Sequence, residues 1–114
     1  MPRASRGLVI LVTCPTRRSA DRLANALVRH HAAACVNILP NVQSVFWWEG
    51  KVDRAREVLL VIKTTAGRFD AIQRTVRALH PYDVPEVIAL PIRRAHPPYW
   101  RWVVSSVSRS SPTR

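Results

Sequence analysis

The sequence has few of the residues that build disulfide scaffolds, structural zinc sites and phosphate-binding loops. Its 114 residues include two cysteines, Cys14 and Cys35, and three glycines. Two cysteines without C-x-x-C spacing are too few for a disulfide framework or a structural zinc site. The glycines, at positions 7, 50 and 67, are too far apart to form a glycine-rich phosphate loop. The composition therefore excludes disulfide-rich domains, zinc knuckles and P-loop enzymes.

Long apolar runs are also missing. The runs at 8–12 and 58–62 are far shorter than the roughly 20 residues that a membrane-spanning helix needs. The apolar stretch that follows Arg3 and Arg6 is too short for a signal peptide and leads directly into a helical pattern. The sequence therefore predicts one domain that makes no membrane contact and resides in the cytoplasm.

Acidic residues are scarce. Lys and Arg number 18 against 7 Asp and Glu, which gives a formal net charge of +11. No acidic residue precedes Asp21 or follows Glu86. Such a balance favours anionic partners, although a solvated basic face in an Arg-favouring proteome is the preferred explanation. The basic residues are scattered and no RNA-recognition aromatic motif is present, so nucleic acid is not the expected partner.

The hydrophobic pattern predicts the order strand, helix, strand, strand, helix, strand, helix. The predicted strands span 7–13, 33–48 with a break at Pro40 and Asn41, 52–65 and 86–92. The predicted helices span 17–31, capped by Thr16, then 68–80, and a last one that begins at Pro97. Pro91 removes one donor from the ladder, so the last strand is predicted to lie at an edge of the sheet or to bend there. The domain is predicted to span 7–104, between a flexible N-terminus, 1–6, and a flexible basic tail, 105–114.

This order predicts an α+β fold, a ferredoxin-like βαββαβ sandwich with a long hairpin between the second and third strands and a short C-terminal helix. Both helices of the βαβ units would cover one face of the sheet. The opposite face would stay apolar, because 8–12 and 58–62 are apolar on both sides. Three consecutive aromatic residues near the hairpin tip, Phe46, Trp47 and Trp48, cannot all be buried in a domain of this size. We therefore predict that the chain associates with copies of itself.

Five segments carry a family resemblance, and they occur in the family's order and spacing. They read VTCP at 12–15, AAACVNILP at 32–40, WEGK at 48–51, EVLLVIKTT at 57–65 and HPYDVPEVI at 80–88. Together they resemble the CutA family of divalent-cation tolerance proteins, over about residues 8–104.

The resemblance implies a ferredoxin-like subunit in a tight homotrimer, with hairpins that pair across subunits and leave pockets between them. It implies a role in divalent-cation tolerance, above all toward copper, and in metal response. The fold is similar to that of the trimeric PII-type nitrogen signalling proteins, so signalling is a further implied role. No reaction is assigned to the family, so no enzymatic activity is expected. Cu(II) or another divalent metal ion is the implied ligand, and none is expected to be required for folding.

Six residues near strand ends or breaks form the candidate site, where thiol, imidazole and carboxylate groups suit Cu or Zn. The predicted metal ligands are His80, Cys14 and Glu86. The predicted inter-subunit pocket contains Cys35, Lys63 and Tyr82, and the predicted trimer interface contains Phe46, Trp47 and Trp48. Of the ligand set of a copper-binding family member, only His80 is matched, because Val12 and Leu79 occupy the positions of its cysteine and its second histidine.

Several of these candidates also have a structural explanation. Cys35, between Ala34 and Val36, has the surroundings of a core residue. His80 is placed to cap a helix C-terminus. Lys63 and Glu86 have the charges of an interface ion pair.

Two other functions remain open at this stage. One is a basic module that binds anions or nucleic acid through phosphate contacts. The other is an enzyme with Cys14 as nucleophile, for which His80 is the available base.

Overall fold

The computed structural model describes residues 5–108, which form four strands and three helices. In chain order they are β1 (Gly7–Cys14), α1 (Arg17–Arg29), β2 (Cys35–Trp48), β3 (Lys51–Thr65), α2 (Phe69–Leu79), β4 (Ile88–Pro91) and α3 (Pro97–Val107). A 3₁₀ turn, Ala66–Arg68, precedes α2. Within residues 5–108, no helix is both long enough and apolar enough to cross a membrane.

The four strands form one antiparallel sheet in the order β2-β3-β1-β4. The longest strands, β2 and β3, make the hairpin, and β1 lies between β3 and the short β4. The order places β4 at an edge, where Pro91 needs no second ladder partner. This arrangement confirms the predicted ferredoxin-like α+β class.

One face of the sheet is covered by α1 and α2. Its buried side chains include Ile10 and Val12 of β1 and Leu60 and Ile62 of β3, none of which has any exposed surface. These side chains pack with apolar residues that recur at helical spacing, namely Ala20, Leu23, Ala24 and Leu27 of α1 and Ile72 and Val76 of α2. The main core therefore lies between the sheet and these two helices.

Helix α1 begins where its sequence predicts but ends before the predicted residue. Thr16 and Ser19 form a reciprocal capping box: the Ser19 backbone N–H donates to Thr16 Oγ1 over 3.0 Å, and the Thr16 N–H donates to Ser19 Oγ over 3.3 Å. The predicted end at His31 is wrong, because His31 has a φ of 58° and turns the chain out of the helix. The Ala32 N–H then donates back to the Leu27 carbonyl over 2.9 Å, which closes the helix end.

The hairpin is continuous across the predicted break. Pro40 and Asn41 lie within β2, where the register shifts between Leu39 and Val42. Asn41 takes a φ of 64°, so the irregularity is absorbed as a β-bulge and the strand resumes beyond it. Glu49 and Gly50 turn the chain with φ values of 49° and 77°.

The other observed element boundaries differ from the predicted ones by a few residues. Strand β4 spans four residues rather than the predicted 86–92, because only those four pair with Leu8–Leu11 of β1. Helix α2 ends at Leu79, and His80 is its C-cap. Helix α3 extends to Val107, so 105–107, assigned from sequence to the tail, are helical, and Val107 is buried. Residues 1–4 and 109–114, the remainder of both predicted flexible ends, lie outside the described residues.

The second face of the sheet has little cover. Side chains alternate along a strand, so Gly7, Val9 and Leu11 point away from the core that Ile10 and Val12 enter. Helix α3 packs against the Gly7 end of this face, with Trp100, Trp102 and Val103 in a small cluster around Ala34. The rest, which we call the open face, consists of half-buried or exposed side chains: Val9, Leu11, Cys35, Asn37, Leu39, Leu59, Val61, Lys63, Ile88 and Leu90.

Gly7 allows α3 to approach β1 closely. A Cβ atom at this position would lie 2.6 Å from Trp100 Cη2 and 3.0 Å from Ile92 Cβ. We expect Gly7→Ala to lower the free energy of unfolding by about 1–3 kcal/mol, because the indole ring must be displaced. Urea denaturation measures this loss. Adding Trp100→Phe should restore part of it, and an unchanged loss in the double variant would contradict the steric explanation.

Candidate functional site

The candidate site lies at the C-terminal end of β1. Three of the predicted site residues meet there: Cys14, the last residue of β1, His80, the C-cap of α2, and Tyr82 in the following loop. The residue before a proline avoids helical backbone angles, so Pro81 ends α2 at this point. The loop then passes beside the end of β1, where the sequence predicted that these side chains would gather.

Both ring nitrogens of His80 are engaged in hydrogen bonds. Its Nε2 lies 2.7 Å from the Thr13 carbonyl oxygen, and its Nδ1 accepts from the Tyr82 backbone N–H over 3.0 Å. A carbonyl only accepts, so Nε2 must carry the hydrogen and Nδ1 the lone pair. The ring therefore ties the loop after α2 to β1, and neither nitrogen is open to a further ligand.

Tyr82 links the loop to the base of the hairpin. Its hydroxyl donates to Glu57 Oε2 over 2.9 Å, and its ring lies 5.0 Å from the His80 ring, centroid to centroid. Glu57 is only 7% exposed, so this hydroxyl is the donor to a nearly buried carboxylate. Burial first, and then the bond to Glu57, raise the pKa of Tyr82 to about 12. The phenol therefore stays protonated and continues to donate at any ordinary pH.

The Cys14 thiol is held in its protonated form. The side chain is fully buried. Burial and then the charge of Glu57 raise the pKa of the Cys14 thiol to about 11, against the opposing effect of a hydrogen bond with Ser19. Thiolate is the form that attacks electrophiles and binds metals, so Cys14 is a poor nucleophile and a poor ligand at neutral pH.

The residues at this end of β1 do not fit a metal ion. Within residues 5–108, no group of three or more His, Cys, Asp or Glu side chains is arranged to hold one. Glu86 is exposed and forms no hydrogen bond or ion pair within the same range. The predicted set of His80, Cys14 and Glu86 is therefore not assembled by one chain.

The predicted pocket residues are divided between the two ends of the sheet. Cys35 pairs with Lys63 in the β2–β3 register, and Lys63 pairs with Val9, near the Gly7 end of the open face. Tyr82 contacts Glu57, six residues before Lys63 and therefore roughly 20 Å away along β3. Within one chain, Tyr82 does not share a pocket with Cys35 and Lys63.

The predicted interface aromatics lie at the hairpin tip. Phe46 is 38% exposed, Trp47 75% and Trp48 60%. Val45 and Val52 nearby are also exposed, so the tip carries exposed apolar side chains on both of its faces. The structure thus confirms that this cluster is not covered by its own chain.

Sequence reasoning missed two members of the site, Glu57 and Ser19. Glu57 stands between the charged outer half of β3 and its apolar inner half, at the boundary Arg56-Glu57-Val58. That position was the available signal, because a carboxylate at the start of a buried run needs a donor. Ser19 was visible only as a helix residue three positions after the Thr16 cap.

Comparison with known proteins gives one consistent result. A family model described as CutA1 divalent ion tolerance protein matches residues 8–106. The rice protein named CutA 1, chloroplastic, is 47% identical over 103 residues, covering 90% of this chain and 58% of its own length. The divalent-cation tolerance protein CutA of Thermus thermophilus is 44% identical over 95 residues, covering 83% of this chain and 92% of its own length.

Solved structures agree. The crystal structure of CutA1 from Oryza sativa superimposes with a TM-score of 0.90 at 44% sequence identity, over 96% of this chain and all of the other. The chain spans little more than half the length of several eukaryotic relatives, such as 58% of the rice protein and 51% of the human protein named CutA.

Proposed function

The chain belongs to the CutA1 divalent ion tolerance protein family, and on this basis we propose that it acts in divalent-cation tolerance as a homotrimer. The observation that carries the proposal is the open face. Its apolar side chains include Leu39, Ile88 and Leu90, which are 42%, 48% and 48% exposed in the single chain. A contiguous apolar surface of this kind marks an interface in proteins that are otherwise well packed.

The hairpin supports self-association independently. Its outer half projects beyond the sheet, and the longest dimension of the chain is 46 Å against 26 and 22 Å. A two-stranded ribbon is only marginally stable without further packing. Exposed Trp47 and Trp48 at its tip therefore favour a neighbouring copy as the packing partner.

The two sheet edges allow a ring as well as a two-fold dimer. The edges are β2 on one side and β4 on the other, and they differ in length and sequence. Contact between unlike surfaces is heterologous, and it closes into a ring when the rotation between copies permits. The family resemblance implies three copies in that ring.

The metal site that we propose differs from the one predicted from the sequence. We propose that a divalent ion such as Cu(II) is bound between copies and not by the Cys14–His80 network of one chain. The engaged His80 nitrogens and the protonated Cys14 thiol support this. A closed ring would bring three copies of each open-face side chain toward one axis, including the half-buried thiol of Cys35.

We also propose that the protein is not an enzyme and that it works in the cytoplasm. A protonated Cys14 beside a His80 ring whose lone pair is already occupied lacks the activated base that nucleophilic catalysis needs. Neither cysteine forms a disulfide, which fits a reducing compartment. The rice relative is named chloroplastic, so the compartment requires its own test by fractionation.

Native mass spectrometry, with and without one equivalent of Cu(II) per chain, tests the proposal. We expect a three-chain mass in both conditions. We expect His80→Gln to take up as much copper as the unmodified protein, because neither ring nitrogen faces a metal. His96→Gln, at an exposed position before α3, is the matched control.

Each part of the proposal can fail separately. A single-chain mass at micromolar concentration would overturn the trimer. Copper uptake lost in His80→Gln but kept in His96→Gln would overturn binding between copies and restore His80 as a ligand.

A further inference from the structure

A cavity lined by arginine and tryptophan side chains lies at the opposite end of β1 from the Cys14 site. Its volume is about 510 Å³, and its lining includes Arg6, Gly7, Ile92, Arg93, Arg94 and Trp100. Gly7 and Cys14 are the first and last residues of β1, so the two sites are roughly 23 Å apart. Nothing in the proposed tolerance function uses this cavity.

The cavity carries concentrated positive charge. Arg6, Arg93 and Arg94 are all exposed, and none has an ion pair or a side-chain hydrogen bond within residues 5–108. The lining comes from residues 6–7 and 91–100, which belong to the two parts of the sequence without acidic residues. Three unpaired guanidinium groups around one concavity attract an anion and match the geometry of a phosphate.

The cavity also has a fixed aromatic and apolar wall. The missing side chain of Gly7 lets the Trp100 indole approach β1, and Ile92 packs at the same point. The Ile92 N–H donates to the Gly7 carbonyl over 2.9 Å, which ties the segment after β4 to β1. The wall is therefore held by the sheet itself. An indole beside arginines suits a ligand that has a flat ring as well as a phosphate.

We infer that this cavity binds a nucleotide, with the phosphates on Arg6, Arg93 and Arg94 and the base against Trp100. The volume lies within the range of small-molecule sites, which is roughly 300–1,000 Å³. The residues outside the described range include Arg3, Arg109 and Arg114 and no acidic residue, so they offer no carboxylate side chain to these arginines.

Calorimetric titration of the full chain with ADP, inorganic pyrophosphate and adenosine tests this inference. We expect ADP to bind more tightly than either fragment, because only ADP engages both the arginines and the indole. The double substitution Arg93→Gln with Arg94→Gln should weaken ADP binding by about tenfold or more. The matched control, Arg22→Gln with Arg29→Gln, removes the same charge from exposed positions of α1 and should change affinity less than about twofold.

Four results would overturn the inference. The first is no heat of binding with ADP at millimolar concentration. The second is an equal loss of ADP affinity in the two double variants. The third is pyrophosphate binding as tight as that of ADP, which would leave the indole no role. The fourth is binding of a single-stranded thymidine oligonucleotide without binding of ADP, which would make this surface a nucleic-acid contact. The substituted arginines are exposed, so the variants are expected to fold, and circular dichroism verifies this.

Discussion

If the chain forms the proposed homotrimer, replacing Leu90 with aspartate is expected to convert it into single chains while each chain remains folded. Leu90 is 48% exposed on β4, so a carboxylate there stays hydrated in the free chain. In an assembly that covers the open face, the same carboxylate would be buried without a partner. Burying this carboxylate costs several kcal/mol in each copy, which is enough to reverse association at micromolar concentration.

Sedimentation velocity measures the change, and Val28→Asp is the matched control. Val28 lies on α1, is 40% exposed and is on the far side of the sheet from the open face. We expect this variant to keep the three-chain mass. An unchanged mass in Leu90→Asp would place the interface elsewhere. If Leu90→Asp fails to fold, Ile88→Asp, on the same face with the same 48% exposure, repeats the test.

Most of the fold follows from patterns that are local in sequence. The spacing of Ala20, Leu23, Ala24 and Leu27 predicts the buried side of α1, and Thr16 predicts its start. The apolar runs in β1 and β3 predict strands that are apolar on both faces, and the turn at Glu49 and Gly50 predicts the hairpin. These signals are strong because each element's own residues determine its period and its ends.

Element ends set by distant partners could not be predicted. Strand β4 begins at Ile88 because that residue pairs with Leu11, and nothing in the run at 86–92 marks the limit. Helix α3 continues past Ser105 because Val107 is buried against a cluster formed with Ala34. In both cases the stabilising contact comes from more than 70 residues earlier in the chain.

The sequence predicted only part of the candidate site, because some of its features depend on contacts between distant residues. Cys14, His80 and Tyr82 each lie at an element end, so the order of elements brings them together. Glu57 was missed because its burial depends on Tyr82, 25 residues later in the sequence. The direction of the two His80 hydrogen bonds decides whether that ring is a ligand or a structural tie, and residue type alone does not contain that information.

Raising the pH from about 9 to 11 is expected to destabilise the native chain through Cys14. Below the ordinary pKa of 9.0, the thiol is protonated in both the folded and the unfolded state, and its contribution is constant. Above that pH the unfolded chain releases the proton, whereas the folded chain retains it until its pKa of about 11. The unfolded state is therefore favoured progressively, by on the order of 2 kcal/mol across this interval.

Urea denaturation at a series of pH values separates this effect from other alkaline titrations. Cys14→Ala lowers the free energy of unfolding at every pH by leaving a cavity. The quantity to compare is therefore the slope of the free energy of unfolding against pH between pH 9 and 11. This slope should be shallower in Cys14→Ala than in the unmodified chain. Cys35→Ala is the comparison variant, because it removes the other thiol, which lies opposite Lys63, six residues along β3 from Glu57. Tyr82, whose pKa is raised to about 12, adds a smaller loss at higher pH because its side chain is partly hydrated. Parallel slopes for Cys14→Ala and the unmodified chain would show that the thiol is not held protonated, and Cys14 would again be available as a ligand or nucleophile.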